Sequence, residues 1–507
     1  MPKLLRLALA VVLAAGGTQA RAAWHEAKSK HFIIYGNVDP QDLSDYAKKL
    51  ERFDQAVRMG RAMDDPQLTD SGKLRIYFLR NASEWRDLTG GYILGAYVAR
   101  SDGSYAFVPK MKGDRAGDFN SDILFFHEYA HHLMFQNWVA ALPTWIVEGF
   151  AEFLSTAKIT DDGSVILGSA ANHRSYGIRS LHHDLPLTEM LAGTERGLTA
   201  WQYEIIYSRG WLLTHYLTFE PTRRGQLDRY IAGIQNGTSA RESAKTAFGD
   251  IAQLDRELDR YAVSKEISGT VLRPDPAKLG PITVRQLGAA EADLMPIQMR
   301  SDYGAAPQRA RMTAGRAREL AKAYPSDPFV QATLAEAEYD AENYPEAEAA
   351  ADRALAADPN NVHALTYKAR VRMQRAKAAS TMIDGREVRS WLAKANRLDT
   401  ENAEPLMLYY QSFAAAGERP TETATKGLLY AMVLAPQDSR LRWMAVRQLL
   451  LDHRFEEARR ALTPIAFDPH AGSARERANV VLAALESGDA AKGVSVIDTF
   501  QRDWRHY

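Results

Sequence analysis

Residues Ile123 to Val139 read ILFFHEYAHHLMFQNWV, a run that is apolar on nearly every side. A helix of that kind belongs inside a protein. Four ionisable side chains, His127, Glu128, His131 and His132, are set into it. Burying them costs free energy unless something satisfies them, and a metal ion does so directly. The i, i+4 spacing puts His127 and His131 one turn apart on one face, where two imidazole nitrogens can reach one zinc. Glu128, about 100° round the helix, is poorly placed as a third ligand but can reach a zinc-bound water. His132 points away from that face and is read as a packing or solvent contact. The chain has no cysteine, which excludes disulfide staples and thiolate metal sites, so any metal is held by histidine and carboxylate.

Sixteen residues separate His131 from Glu148, which lies in the segment LPTWIVEGFAE, Leu142 to Glu152. Pro143 suits a helix start, and the intervening length allows a turn and an antiparallel second helix that returns Glu148 to the histidine pair. Glu152 falls one turn later on the same face. HEYAH followed by PTWIVEGFAEF resembles the zinc core of the gluzincin metallopeptidases, particularly the aminopeptidase-like branch and the related peptidase-MA-like domains. The resemblance implies a zincin-like α+β domain, zinc (Zn2+) held by His127, His131 and Glu148, and Glu128 as general base and then general acid. It also implies that Glu152 hydrogen-bonds a ligand imidazole and fixes its tautomer. Tyr207-Ser208-Arg209-Gly210 is similar to the segment of that branch whose tyrosine stabilises the oxyanion, which implies that role for Tyr207. The other reading of Tyr207 is a helix residue packed beside Trp211. The Gly-x-Met-Glu-Asn segment that grips a free amine in the aminopeptidases has no counterpart before His127. Gly90 to Tyr97 lie in the equivalent region without a carboxylate.

At 507 residues the chain exceeds one hydrophobic core, and two to four domains are expected. Residues 1–22 carry Lys3 and Arg6, an apolar run and a small-residue ending at Ala22, the pattern of a cleaved signal peptide. The mature protein is therefore expected to be exported, periplasmic or extracellular, with no stable membrane insertion. Residues 23–265 are assigned to the metallopeptidase-like domain. Strands are expected at His31–Tyr35, Leu74–Leu79 and Ser104–Val108, with a helix near Leu43–Met59. The third strand is read either as an edge able to accept an extended peptide or as an interior strand. Residues 266–304 carry Pro274, Pro276 and Pro281 and read as a linker with short strands.

Residues 305–507 are rich in Ala, Leu, Arg and Glu, with boundary signals at Asp327-Pro328, Asp358-Pro359, Leu398-Asp399, Ala435-Pro436 and Asp468-Pro469. Their spacing, 31, 40, 37 and 33 residues, lies near the period of about 34 of tetratricopeptide helix pairs. The unit LAEAEYDAENYPEAEAAADRALAADPNN, residues 334–361, resembles such a repeat closely. An all-α solenoid is expected there, with a concave surface for a protein or peptide partner. Lys plus Arg and Asp plus Glu both number 63, so no global field draws nucleic acid. The expected function is a secreted zinc peptidase acting on peptides or proteins; the competing one is a non-catalytic repeat scaffold with a metallopeptidase-like domain. His173, His182 and His183 fall in an irregular stretch suited to a lid or specificity loop.

Overall fold

The computed structural model describes residues 23–89, 95–111, 120–137, 142–180, 184–193, 198–264, 267–304, 306–466 and 472–503. The signal-peptide assignment, His182, His183 and the boundary at Asp468-Pro469 lie outside them.

The N-terminal region is built on a six-stranded mixed sheet of order β4-β5-β3-β2-β1-β9. Its strands are β1 (His25–Lys28), β2 (Phe32–Gly36), β3 (Leu74–Leu79), β4 (Ala96–Arg100), β5 (Gly103–Pro109) and β9 (Thr283–Gln286). Strands β2, β3 and β5 run parallel, and β4 pairs antiparallel with β5. The parallel strands are buried on both faces, which is why they read as continuous apolar runs. Two helices, α1 (Pro40–Arg61) and α3 (Ser121–Asn137), cover one face; Phe32, Ile34, Ile76 and Val108 share a core there with Phe53, Phe126 and Tyr129. Asp39 caps α1 by accepting from the Gln41 amide, with Pro40 at its first position, where a missing N–H costs nothing. On the opposite face, Tyr77, Leu79 and Phe107 pack with Trp85 of α2 (Ala82–Thr89) and with Met295 and Met299.

Downstream of α3 come α4 (Thr144–Ser155), a three-stranded sheet of β6 (Lys158–Ile159), β7 (Val165–Leu167) and β8 (Thr270–Leu272), and helices α5 (Ser175–Ser180), α6 (Leu187–Ala192) and α7 (Ala200–Phe219). Helices α8 (Gln226–Gln235), α9 (Ala240–Phe248) and α10 (Ile251–Ala262) complete the subdomain.

Of the two readings of the third strand the interior one holds: β5 has β3 on one side and β4 on the other, and β4 is the edge among the described strands. One expectation is corrected: residues 267–304 carry the short strands expected there, β8 and β9, but these belong to the two sheets, and the second half is a helix, α11 (Ala289–Tyr303), with Pro296 inside it, so the stretch is not a linker. Tertiary packing of Leu294, Met295, Ile297 and Met299 outweighs the helix-breaking tendency of Pro296.

The rest is an all-helical array. After α12 (Pro307–Ala321) come the pairs α13 (Pro328–Asp340) with α14 (Tyr344–Ala357), α15 (Val362–Ala378) with α16 (Gly385–Leu398), and α17 (Ala403–Ala415) with α18 (Glu422–Leu434). These are followed by α19 (Ser439–Leu451) with α20 (Phe455–Ala466) and α21 (Ser473–Glu486) with α22 (Ala490–Asp503). Of the boundary residues, Asp327 caps the start of α13, while Asp358, Asp399 and Ala435 end α14, α16 and α18. A few residues on, Asn361, Asn402 and Asp438 start the next helices and, like Asp327, accept hydrogen bonds from the first turn, satisfying amides that have no partner within the helix. Ala335, Ala337, Ala350 and Ala351 are completely buried between α13 and its neighbours, the close approach that the small residues anticipate. Among the described residues no helix is long and apolar enough to cross a membrane.

The array contacts the N-terminal region through alternate helices. Arg100 donates to the Ser301 carbonyl at 2.8 Å and Gln437 donates to Ser104 Oγ at 2.8 Å. Tyr77 Oη donates to Asp302, and Ser71 and Thr69 donate to Asp399 and Glu401. The carboxyl of Asp302 is pushed up to about 7, first by burial and then by the charge of Glu336. Its proton is therefore held tighter in the folded chain than in the unfolded one, and stability falls as pH rises from the ordinary carboxyl value toward neutrality, levelling above it. The expected outcome is a thermal midpoint that drops between about pH 4 and about pH 7, with a shallower slope in Asp302→Asn, measured by circular dichroism.

Candidate metal centre

Helices α3, α4 and α7 converge on one cluster. His127 and His131 both turn Nε2 toward the same point, 3.1 Å apart. Glu148 on α4 is completely buried, and its Oε2 lies 3.5 Å from His127 Nε2 and 3.7 Å from His131 Nε2. These three residues form one of two described groups whose ligand atoms all lie within 4.8 Å of one another. Atoms about 2.0–2.2 Å from one tetrahedral metal lie roughly 3.3–3.5 Å apart, so the donor set matches a zinc-sized ion.

The approach of α4 to α7 is set by two glycines. A Cβ on Gly149 would stand 2.4 Å from the Gly210 carbonyl carbon, and one on Gly210 would stand 2.9 Å from the Trp145 oxygen. Backbone meets backbone there, which leaves Glu148 beside the crossing and Tyr207 one turn before it. The Tyr207 ring lies 6.0 Å from that of His127. Burial first, then the Glu148 charge, holds the Tyr207 phenol far above its ordinary value, so it stays a hydrogen-bond donor at any working pH.

Glu152 links the parts. One oxygen lies 3.2 Å from His127 Nδ1 and 2.8 Å from Arg174 Nη2, while the other lies 2.8 Å from His173 Nε2. Burial alone would raise its carboxyl, but these partners hold it well below the usual range. In the same balance burial depresses His127, and Glu148 and Glu152 overcome it, pushing its imidazole up to about 10. Glu128 is half-buried on α3, and its charge acts on the phenol of Tyr97 in the edge strand β4. His132 turns away, with Nδ1 2.8 Å from Tyr97 Oη and Nε2 2.9 Å from Gln136.

All six residues singled out in the sequence, His127, Glu128, His131, Glu148, Glu152 and Tyr207, thus lie on these three helices. Arg174 went unread. Its guanidinium stands 4.7 Å from the Tyr207 ring centroid and bridges Glu152 to Glu204, 2.7 Å away. It follows a loop with no periodicity, so no pattern announces it. The two glycines carried a weak signal, since glycine inside an apolar helix is disfavoured unless something packs closely against it.

A second buried group, His31, Glu51 and Asp54, is a different kind of cluster. Arg58 Nε lies 2.8 Å from both Asp54 oxygens, Tyr129 donates to Asp54 at 2.6 Å, and His31 Nδ1 lies 2.8 Å from Glu51. Its cation is already present, as a side chain.

No family model matches the chain, and no curated protein matches it. Among solved structures, a thermophilic TPR protein of Thermus thermophilus is similar at 18% identity over 38% of this chain and 100% of that one, with a TM-score of 0.32. Yeast Tom70 is similar at 12% identity over 65% and 72% of the two chains, with a TM-score of 0.27.

Replacing Gly210 by Ala inserts a methyl where backbone already sits. The expected cost is about 1–3 kcal/mol in chemical denaturation.

Proposed function

We propose that the chain is an exported zinc-dependent peptidase that hydrolyses peptide bonds, with His127, His131 and Glu148 as zinc ligands. The observation that carries this reading is the set of three ligand-atom separations, 3.1, 3.5 and 3.7 Å, close to the edges of a zinc tetrahedron. Zinc bound there supplies Lewis acidity and a water acidic enough to attack an amide near neutral pH. Glu128 accepts the proton of the attacking water and returns it to the leaving amine. Tyr207 donates its phenolic hydrogen to the oxyanion that develops on the scissile carbonyl, a contact worth a few kcal/mol in comparable sites. Glu152, anchored by His173 and Arg174, accepts from His127 Nδ1 and fixes the tautomer that presents Nε2 to the metal. The helical array is the reading's protein-binding part, supported by the tetratricopeptide resemblance of residues 334–361.

Metal content of the purified chain and cleavage of a peptide library test the proposal. About one zinc per chain is expected. Glu128→Gln should keep the zinc and lose cleavage by roughly a hundredfold or more, whereas His131→Ala should lose both. A chain that binds no zinc after resupply, or cleaves equally well as Glu128→Gln, overturns the reading and leaves a repeat-bearing binding protein. Because the His127 proton must leave before zinc binds, zinc retention is also expected to weaken as pH falls, measured by competition with a chelator.

A further inference from the structure

The two-residue turn between β4 and β5, Ser101-Asp102, projects into the inner face of the helical array. Residues from several helices of the array lie around it. From α11 come the Ser301 carbonyl, bonded by Arg100, and Asp302, held by Tyr77. From α13 comes Glu336, 3.2 Å from His363 of α15 and 2.9 Å from Tyr367 Oη. Arg370 of α15 pairs with Glu404 of α17 and stands 5.3 Å from the Tyr367 ring. Ahead of α19, Gln437 donates to Ser104 at 2.8 Å. The charge of Asp102 is felt at Asp302 of α11, at His363 and Arg370 of α15 and at Asp438, the α19 cap, so residues from well-separated parts of the array lie around one turn. On the other side the turn is gripped by Arg75, which donates to the Asp102 carbonyl at 3.3 Å. Gly103 admits that guanidinium, since a Cβ there would lie 2.6 Å from it at a φ of +150°.

We propose that the inner face of the array is a receptor for a turn bearing arginine and aspartate, that the chain's own Arg100–Gly103 turn occupies it, and that this contact latches the edge strand β4 in place. The turn fits that face by charge: basic Arg100 reaches the Ser301 carbonyl, and the charge of Asp102 acts on Arg370 and His363. The consequence runs along β4. Its Tyr97 lies hydrogen-bonded to His132 on α3, so the strand held at one end by the array is tied at the other to the helix that carries His127 and His131. Among the described residues β4 has a strand partner, β5, on one side only. A partner chain presenting the same arginine and aspartate on a tight turn competes for this face and frees β4 as it binds. The proposal rests on the contact itself and not on hydrolysis.

The test is amide hydrogen exchange on the full chain with Arg100→Ala and Gln437→Ala combined, which removes both hydrogen bonds from the array to the hairpin. Exchange in residues 96–100 is expected to rise by about tenfold or more, with β2 and β3 unchanged. A cyclised peptide of residues 96–107 added to the unaltered chain is expected to raise exchange in the same five residues. If the double variant does not fold, Gln437→Ala alone gives the same readout with a rise of roughly two- to fivefold. Unchanged exchange in β4 overturns the proposal. So does an equal rise in β2 and β3, which is general loosening and not release of a latch.

Discussion

The contact of Gly149 with Gly210 fixes the distance between α4 and α7, and the rest of the candidate centre is hung from that distance. With any side chain at either position the helices would stand further apart, and Glu148 and Tyr207 would no longer flank one point. The same helix α7 takes a second close approach at Gly177 of α5, where a Cβ would stand 2.0 Å from Ser208 Oγ. That approach brings the segment before α5, with His173 and Arg174, onto Glu152. Two crossings, one of backbone on backbone and one on a hydroxyl, thus set positions that no single helix could set. Helix propensity is sacrificed at each glycine, by about 1 kcal/mol against alanine.

Charge follows from the same geometry. Glu148 and Glu152 stand against His127 and His131, and Arg174 joins Glu152 to Glu204. In a buried setting carboxylates are tolerated when protons or a cation offset them. Burial depresses the His127 imidazole, and Glu148 and Glu152 overcome it, pushing it up to about 10. Glu152 contacts Nδ1, which leaves Nε2 facing Glu148 and His131.

What could be read in the sequence was what helical periodicity carries. HEYAH places its two histidines without reference to the rest of the fold, and the length to Glu148 permits a return that α3 and α4 make. The interior strands were legible because burial on both faces leaves apolar runs. Arg174 was not, because it reaches the site through the α5 to α7 packing, which has no local signature. The stretch to Gly304 misled because Pro274, Pro276 and Pro281 read as breaks. All three lie before α11, and at Pro296, inside it, packing on two sides prevails. The edge position of β4 was likewise hidden, since strand order is a property of the whole sheet.

Helix α11 shows why the array and the sheet cannot be treated as separate pieces joined by a tether. Its Leu294 and Ile297 enter the core of the first repeats, while Met295 and Met299 enter the core over the sheet with Tyr77 and Phe107. A helix with apolar groups on two faces is a shared wall. Moving it would open both cores, and each buried side chain exposed would cost about 1.5–3 kcal/mol. Asp302, near the end of the same helix, receives the Tyr77 hydroxyl from β3. Rotation of the array as a rigid body is therefore opposed at α11. Further along the array the contact with the sheet is polar, through Gln437 on Ser104 of β5 and through Asp399 and Glu401 on Ser71 and Thr69. The array is thus fixed at its root by two shared cores and held further out by hydrogen bonds that each contribute about 0.5–1.5 kcal/mol.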